Sequence, residues 1–294
     1  MKIAILLPLK ENYSHIGAGA VSILVNSHLS KSTYKKNIKI YGTKIARPLN
    51  KNQFINLKSN RLFFSNKSYV RSFVSKIEKN TKIIELHNRP KYFFYIKKIF
   101  PEKKFILFFH NNPKDLRGSS SIEERKFIYE NCDKIVFLSH WIKEQFFKGL
   151  KISNVDRFTV FYPGVAKIKK FPKNKKNIIL FVGKLNKSKG YDLFSEAISK
   201  FVSKNKNWKA VAIGSESRRV IKKNIFITEL GVLPNKSVLK LMEESKIAIA
   251  NSRWEEPLGR LPIEAASRGC FPITSSTGGL TETLSDNFSI LPIN

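Results

Sequence analysis

Two glutamates eight residues apart, Glu256 and Glu264, are the side chains whose type and spacing most clearly suit the binding of a sugar. Pro262 tolerates only the first turn of a helix, because an interior proline loses a hydrogen bond and clashes with the preceding turn. Glu264 is therefore expected in the first two turns of a helix and Glu256 in the loop before it. Carboxylates there accept hydrogen bonds from sugar hydroxyls, and the free amides of a helix start bind polar or anionic oxygens.

Two lysines in the same half carry charge suited to a phosphate group. Lys184 follows a buried apolar run at residues 178–182, and Lys189 lies just before the next helical pattern. Two such cations would stabilise a departing nucleoside diphosphate. The simpler alternative makes both of them ordinary solvated lysines, Glu264 a capping-box carboxylate and Glu256 a solvated loop residue.

The amino-terminal half offers further candidates at the ends of apolar runs. Gly17 and Gly19 follow the first run, in the sequence HIGAGA, and open a helical pattern. On its own, G-x-G is equally typical of a plain strand-to-helix turn. His110 follows the run at residues 105–109, and His87 has a similar placement. Side chains at the carboxyl end of a parallel strand lie where such sheets bind ligands.

The elements that must position these residues alternate between short apolar runs and helical patterns, which is typical of parallel α/β sheets. The predicted strands cover residues 3–7, 38–41, 83–86, 105–109, 135–138, 178–182, 210–213, 225–227, 247–250 and 271–274. The predicted helices cover residues 18–29, 70–79, 122–130, 141–150, 193–201, 235–244, 262–268 and 280–284. We therefore predict two Rossmann-like α/β domains, residues 1–166 and 177–294, that face each other across a cleft and are joined by a lysine-rich linker at 167–176.

Residues 251–282 resemble the Glu-x7-Glu motif and the following Gly-Gly turn of retaining glycosyltransferases with the GT-B fold, glycosyltransferase family 4. The resemblance implies that Glu264 binds the ribose hydroxyls of the donor and that Glu256 contacts the transferred sugar. The backbone amides that would help to hold this sugar belong to Leu258, Gly259 and Arg260.

The resemblance recurs in order along the chain. The sequence FVGKL, which contains Gly183 and Lys184, is followed by Lys189 and resembles the family's diphosphate-binding segment. Lys184 stands where arginine is usual, which keeps the charge but loses the bidentate fork. The segments that would line the nucleotide pocket contain Gly214, Gly231 and Val232.

In the amino-terminal domain, the resemblance implies that the loop with Gly17 and Gly19 covers the donor phosphates and sugar, and that His110 lies near the transferred sugar. Family members normally continue past a strand corresponding to residues 288–291 and send a final helix back across the first domain. This chain stops at Asn294. The expectation is a C-terminal domain without its final crossover helix, or a fragment of a longer protein.

The implied reaction moves a sugar from a nucleoside-diphosphate sugar to the hydroxyl of a saccharide or lipid-linked acceptor, with retention, in bacterial lipopolysaccharide or cell-surface polysaccharide synthesis. No cofactor is implied. We expect metal independence, because no His, Cys, Asp or Glu group has ligand spacing and no Asp-x-Asp occurs. A glycoside hydrolase would also use two carboxylates, but it would explain neither the cations nor the glycine-rich turns.

The charge of the chain is strongly positive, with 54 basic and 22 acidic residues and a net charge of +32. Such a field attracts nucleic acid, anionic lipid or phosphorylated substrates. The basic residues are spread along the chain without a recognised nucleic-acid motif, so we expect no nucleic-acid partner. In the simpler interpretation, an AT-rich genome accounts for most of the excess, and the lysines lie on a solvated face. In the other, the aromatic and basic residues of 31–44 and 51–72 indicate an anionic membrane surface. The alternative function is a basic nucleic-acid- or membrane-surface-binding protein with a degenerate glycosyltransferase fold.

The cellular location follows from the cysteines and the amino terminus. Two cysteines, Cys132 and Cys270, make neither a disulfide framework nor a metal cluster, which suits a reducing cytosol. Lys10 and Glu11 interrupt the first apolar run too early for a secretory signal, and no run reaches the roughly 18 residues of a membrane span. We expect a cytoplasmic protein, with peripheral attachment to the cytoplasmic face of the inner membrane.

Overall fold

A computed structural model describes residues 1–15, 17–57, 65–151, 156–217, 221–284 and 289–291. The contacts between residues divide the chain into two compact units, Met1–Pro163 and Gly164–Asn294. The lysine-rich segment 167–176 falls in the second unit. No helix within the described ranges has the length and apolar character that crossing a membrane requires.

The first unit is a parallel sheet with helices in its connections. Its strands are β1 (Lys2–Leu6), β2 (Ile38–Thr43), β3 (Phe54–Leu57), β4 (Thr81–His87), β5 (Lys104–Phe109), β6 (Lys134–Phe137) and β7 (Phe158–Val160). Its helices are α1 (Ala20–Lys31), α2 (Asn66–Lys76), α3 (Pro90–Ile99), α4 (Ile122–Asn131) and α5 (His140–Phe147). The strand order is β3-β2-β1-β4-β5-β6-β7, the doubly wound order in which the chain reverses beside its first strand.

The core of the first unit forms where helix α1 covers strands β1 and β2. Ile5 and Ile40 are buried in the sheet, and Val21 and Val25 of α1 are buried against them. The side chains of Val21 and Val25 are four residues apart, so both lie on one face of the helix. Burial of this apolar surface fixes α1 on the sheet and places the β1–α1 loop at the carboxyl end of β1.

The second unit repeats the same arrangement. Its strands are β8 (Lys176–Val182), β9 (Lys209–Ile213), β10 (Ile227–Glu229), β11 (Ser245–Ala250), β12 (Phe271–Ser275) and β13 (Ser289–Leu291). Its helices are α6 (Tyr191–Lys204), α7 (Asn235–Glu244) and α8 (Leu261–Ser267). The strand order is β10-β9-β8-β11-β12-β13, all parallel.

Strand β8 has an apolar run on both faces because both faces of its sheet are covered. Ile179 and Phe181 lie in one core cluster with Phe194 of α6. Leu180 points to the other face, in a cluster with Val238 of α7. A continuous apolar strand is the pattern expected of a parallel sheet buried on both sides.

The predicted class, two Rossmann-like α/β domains, is confirmed, although three elements were missed. These are the short strands β3 and β7 and the helix α3, which is rich in aromatic residues. One predicted strand, at residues 225–227, begins later, at Ile227, because Ile225 is 92% exposed. The short helix predicted at 280–284 is a 3-10 helix over Gly278–Thr283. Part of the segment 51–72 lies outside the described residues.

Candidate functional site

A cavity of about 250 Å³ lies in the second unit at the carboxyl ends of β8 and β11. Its wall includes the last residues of both strands and the first residues of α8. Six of the predicted site residues line it: Gly183, Lys189, Glu256, Gly259, Arg260 and Glu264. The structure thus brings together predicted residues from two segments, 183–189 and 256–264, that are well separated in the sequence.

Lys189 and Glu256 form an ion pair at this cavity. Both side chains are largely buried, with 24% and 17% of their surface exposed. The ammonium group of Lys189 also lies 4.4 Å from the centre of the Trp254 ring, a distance typical of a cation–π contact. The indole and the carboxylate therefore hold the lysine ammonium in one place at the cavity wall.

The Lys189 segment is tied to the Trp254 segment through the main chain. The amides of Arg253 and Trp254 donate to the carbonyl of Ser188 over 2.9 and 3.0 Å. The Asn251 side chain donates to the carbonyl of Gly190 over 2.8 Å. These bonds fix the loop after β8 against the loop after β11. The main chain therefore already places the lysine and the glutamate within reach of each other.

Glu264 is the fourth residue of α8, and its side chain is 9% exposed. Its Oε1 accepts hydrogen bonds from Nε and Nη2 of Arg260, over 3.2 and 3.0 Å. The amide of Asn235 contacts the same oxygen at 3.5 Å. Pro262 stands at the second helical position, as its ring requires. The carboxylate therefore faces a guanidinium and an amide, whereas a capping box would place it on a main-chain amide.

The Gly-Gly turn after β12 supports the loop that carries Glu256. The amide of Gly279 donates to the carbonyl of Glu256 over 2.7 Å. A Cβ at Gly278, which has a φ of +58°, would lie 2.4 Å from the same carbonyl oxygen. A side chain at either glycine would push the turn away, so these residues are required for the close approach of the two loops.

Five predicted residues of the second unit lie outside the cavity wall: Lys184, Gly214, Gly231, Val232 and Leu258. Lys184 is exposed, and Val232 is 75% exposed. The amide of Gly214 donates to the carbonyl of Gly231 over 2.8 Å, so the loops after β9 and β10 are joined. A Cβ at Gly214 would lie 1.9 Å from the carbonyl oxygen of Gly183, which makes glycine necessary there.

In the first unit, Gly17 and Gly19 precede α1, and the carboxylate of Glu11 occupies the start of that helix. Glu11 Oε1 accepts a hydrogen bond from the amide of Ser22 over 2.8 Å. A Cβ at Gly19 would lie 2.3 Å from the same oxygen. The glycine therefore makes room for a carboxylate of the protein itself, a role that the G-x-G pattern alone does not indicate.

His110 follows β5 and ends a chain of three titratable side chains. Its Nε2 lies 2.9 Å from Nδ1 of His87, and Nε2 of His87 lies 2.7 Å from Glu85 Oε1. An ionised carboxylate only accepts, so Nε2 of His87 carries a proton. When His87 is neutral, its Nδ1 accepts from His110, which leaves Nδ1 of His110 as an acceptor.

Burial is the main cause that lowers the pKa of His110 well below 6.5, and the nearby His87, His28 and Arg89 lower this pKa further. Burial also lowers the pKa of His28. His110 is thus neutral at neutral pH, and an uncharged imidazole can accept a hydrogen bond from a hydroxyl group.

Sequence reasoning missed four residues that shape these sites: Glu11, Glu85, Asn235 and Trp254. Glu85 lies two residues before His87 on β4, and this spacing puts both on one face of the strand. Trp254 lies inside the segment that the sequence had already singled out. The contacts of Asn235 and Glu11 join distant segments and had no local signal.

The second unit matches a known family model. Residues 166–292 match the family model of the glycosyl transferases group 1. A Klebsiella pneumoniae protein, the uncharacterized 42.6 kDa protein in the cps region, is 26% identical to this chain over 291 residues, which cover 92% of this chain and 70% of that protein.

Solved structures share the fold over nearly the whole chain. Alr3699/HepE of Anabaena in complex with UDP-glucose has a TM-score of 0.74 at 13% identity, covering 99% of this chain and 86% of that one. A glycosyltransferase of Rickettsia africae ESF-5 has a TM-score of 0.73 at 20% identity, covering 100% and 85%. The fold is therefore that of the GT-B glycosyltransferases, which confirms the predicted fold class, whereas family 4 and retention of configuration stay predictions.

Proposed function

We propose that this protein moves a sugar from a nucleoside-diphosphate sugar to an acceptor hydroxyl with retention of configuration, and the match of its second unit to the glycosyl transferases group 1 supports this. The observation that carries the proposal is the convergence of Lys189, Glu256, Arg260 and Glu264 on one cavity. This cavity lies at the carboxyl ends of parallel strands, where doubly wound sheets bind nucleotides.

In this proposal the cavity holds the donor. Glu264 accepts hydrogen bonds from the ribose hydroxyls, in addition to those from Arg260 that already orient its carboxylate. Lys189 binds the diphosphate, and Glu256 contacts the transferred sugar from the same side. Lys184 is exposed, and its long, flexible side chain allows its ammonium group to reach the phosphates.

The transfer itself needs charge stabilisation more than a nucleophile. The bond from the anomeric carbon to the phosphate oxygen breaks, and the acceptor oxygen forms a bond to that carbon on the same face. The proton of the acceptor hydroxyl passes to the departing phosphate. Lys189 offsets the negative charge that builds up on this oxygen, and neutral His110 offers hydrogen bonds to sugar hydroxyls.

We further propose a saccharide or lipid-linked acceptor in the synthesis of lipopolysaccharide or another bacterial cell-surface polysaccharide. The similarity to a protein of the cps region supports this pathway. The strongly positive charge supports a cytoplasmic protein held at the anionic face of the inner membrane. Hexosyl transfer without a metal ion belongs to the same proposal.

A thermal-shift panel tests the donor site directly. A ligand that binds only the folded state increases the free energy of unfolding by mass action, by about 2.7 kcal/mol at 100 times its Kd. The melting temperature rises as a result. We expect one of UDP, GDP or ADP to protect the protein, and duplex DNA of equal phosphate concentration to protect it less. Protection by DNA alone would favour the basic binding protein and contradict the transferase.

A further inference from the structure

A second, larger cavity of about 590 Å³ lies within the first unit and has no role in the donor site. Three segments form it: the start of α2, the loop from β4 into α3, and the loop after β5. Two of them directly follow strand ends, so the cavity lies at the carboxyl edge of the sheet, where parallel α/β sheets bind ligands. Its volume is in the range of small-molecule sites.

The polar wall of this cavity is dominated by cations. Lys67, Arg89, Lys91 and Arg117 line it, together with a single carboxylate, Asp115. Within the described ranges, no carboxylate oxygen lies within 4.0 Å of a side-chain nitrogen of these four residues. Four positive charges and one negative charge around a concave surface give a net field that attracts anions.

The lining of this cavity also includes two tyrosines, Tyr92 and Tyr95. Tyr92 is buried and donates from its hydroxyl to Asn66 Oδ1 over 2.6 Å, whereas Tyr95 is 38% exposed. Tyrosine rings offer a rigid face and a polar edge, which suit the faces of a sugar ring. The lining therefore combines cations that suit a phosphate group with aromatic rings that suit a sugar.

Asn88 connects the cavity to His110. Its side-chain oxygen accepts hydrogen bonds from the amides of His110 and Asn111, over 3.3 and 3.2 Å. Asn88 has a φ of +53°, the one positive φ found at a non-glycine residue in the described ranges. A left-handed backbone at such a residue costs energy and is retained where the surroundings require it. Here it turns the chain from β4 into α3, so that Arg89 lines the cavity while Asn88 holds the His110 segment.

We propose that this cavity binds a phosphate-bearing acceptor, with its phosphate group on Lys67, Arg89, Lys91 and Arg117 and its sugar on the tyrosines. That the ligand is the acceptor rests on the proposed transferase function, whereas phosphate binding does not. Asn88 then places the acceptor's hydroxyl end beside the His110 segment. Two sources share this chemistry, a lipid-linked diphosphate sugar and a free sugar phosphate.

The binding experiment uses inorganic pyrophosphate and the full chain in a Lys189→Ala background, which weakens the donor's diphosphate site. The pair Lys67→Gln and Arg117→Gln removes two cavity cations. The control pair, Lys82→Gln and Lys98→Gln, removes the same charge from exposed positions of the first unit outside the cavity. We expect the cavity pair to weaken pyrophosphate binding at least about tenfold and the control pair less than about twofold. Equal losses, or no binding in the Lys189→Ala background, would overturn the proposal.

A thermal-shift measurement with nucleotides separates the two proposals. It uses the double variant of Lys67→Gln and Arg117→Gln with Lys189 intact. We expect UDP, GDP or ADP to protect it as they protect the unaltered chain. If no nucleotide protects either protein, the transferase function fails, yet a pyrophosphate result specific to the cavity still stands.

Kinetics assign the ligand to the acceptor role. We expect a phosphorylated alkyl glycoside to have a KM at least about tenfold below that of its neutral counterpart, and the cavity pair to remove this difference. A lower KM for a polyprenyl diphosphate sugar than for a sugar 1-phosphate indicates the lipid source, and the reverse indicates the soluble one. Equal KM values for the charged and neutral acceptors in the unaltered chain would overturn the acceptor assignment.

Discussion

The ammonium of Lys189 forms an ion pair with the carboxylate of Glu256, although the two residues belong to segments 67 positions apart. The family resemblance assigns one residue to the diphosphate and the other to the transferred sugar. Their pairing neutralises two charges that are mostly removed from water, and each alone would be costly to bury. In the proposed function, a bound diphosphate would share the lysine with Glu256, so the diphosphate and the carboxylate would compete for the same ammonium group.

Replacing Lys189 should affect the diphosphate more than the nucleoside. In Lys189→Ala the diphosphate loses a charge-assisted hydrogen bond of about 1.5–3 kcal/mol, equivalent to roughly 10- to 100-fold in affinity. It also meets the unpaired carboxylate of Glu256. Calorimetric titration with nucleoside diphosphate and with free nucleoside measures the difference, and Lys187→Ala, at an exposed lysine nearby, is the control. Equal losses for the two ligands would show that the side chain is not at the phosphates.

Replacing Glu264 tests the ribose contact. Glu264→Gln keeps the shape and an oxygen for Arg260, but loses the charge that strengthens hydrogen bonds from ribose hydroxyls. We expect about tenfold weaker nucleotide binding, because hydrogen bonds to charged groups contribute roughly 1.5–3 kcal/mol. The melting temperature should change little. Glu255→Gln, at an exposed glutamate of the same loop, should bind nucleotide like the unaltered protein. Unchanged affinity in Glu264→Gln, or a variant that unfolds, would support a purely structural carboxylate.

The elements that sequence reasoning found are those whose burial has a local signature. Strand β8 is a continuous apolar run because both its faces are covered, and such runs are visible in the sequence. Helix α3 was missed although Pro90 at its start and the apolar spacing of Tyr92, Phe93 and Ile96 indicated it. Strand β7 has three residues, only partly buried, and lacks a pattern to recognise.

The site was predictable in its residue types but not in its contacts. Motif spacing placed Glu256, Glu264 and Lys189 in one functional region, because strand ends converge at one edge of a parallel sheet. That Lys189 pairs with Glu256, and that Arg260 turns its guanidinium onto Glu264, depends on side-chain packing. The sequence provides the charges, whereas their partners follow from the tertiary structure.

The buried His110 should make the stability of the protein depend on pH. Its pKa is lowered in the folded state, so below about 6.5 the unfolded chain binds a proton that the folded chain excludes. Stability from this residue is complete above pH 6.5 and falls as the pH drops toward the lower folded-state pKa. In His110→Gln the melting temperature should fall less between pH 7.5 and 5.5 than in the unaltered protein. Burial also lowers the pKa of His28, so part of the dependence persists in this variant. His15→Gln, at an exposed histidine, serves as control, and an identical pH slope in all three proteins would contradict the assignment.

The last prediction concerns attachment to a membrane surface. The end of α1 and the turn after it present three exposed lysines, Lys31, Lys35 and Lys36, around Tyr34, which is 50% exposed. Basic residues gain about 1 kcal/mol each near an anionic leaflet, and an aromatic ring suits the interface. We expect the protein to co-sediment with vesicles that contain anionic lipid and to remain in solution with neutral ones. Binding should fade as salt shortens the Debye length to ~10 Å and below.

A charge-matched comparison decides whether this surface, rather than net charge alone, is responsible. The triple change of Lys31, Lys35 and Lys36 to Gln should reduce anionic-vesicle binding roughly tenfold or more, since it removes up to ~3 kcal/mol of attraction. The control changes Lys82, Lys98 and Lys104, also exposed lysines of the first unit, to Gln. Equal losses in the two triple variants would mean that the overall field of +32 attracts the lipid without a defined surface. A protein that ignores anionic vesicles at low salt would make a soluble acceptor the better hypothesis.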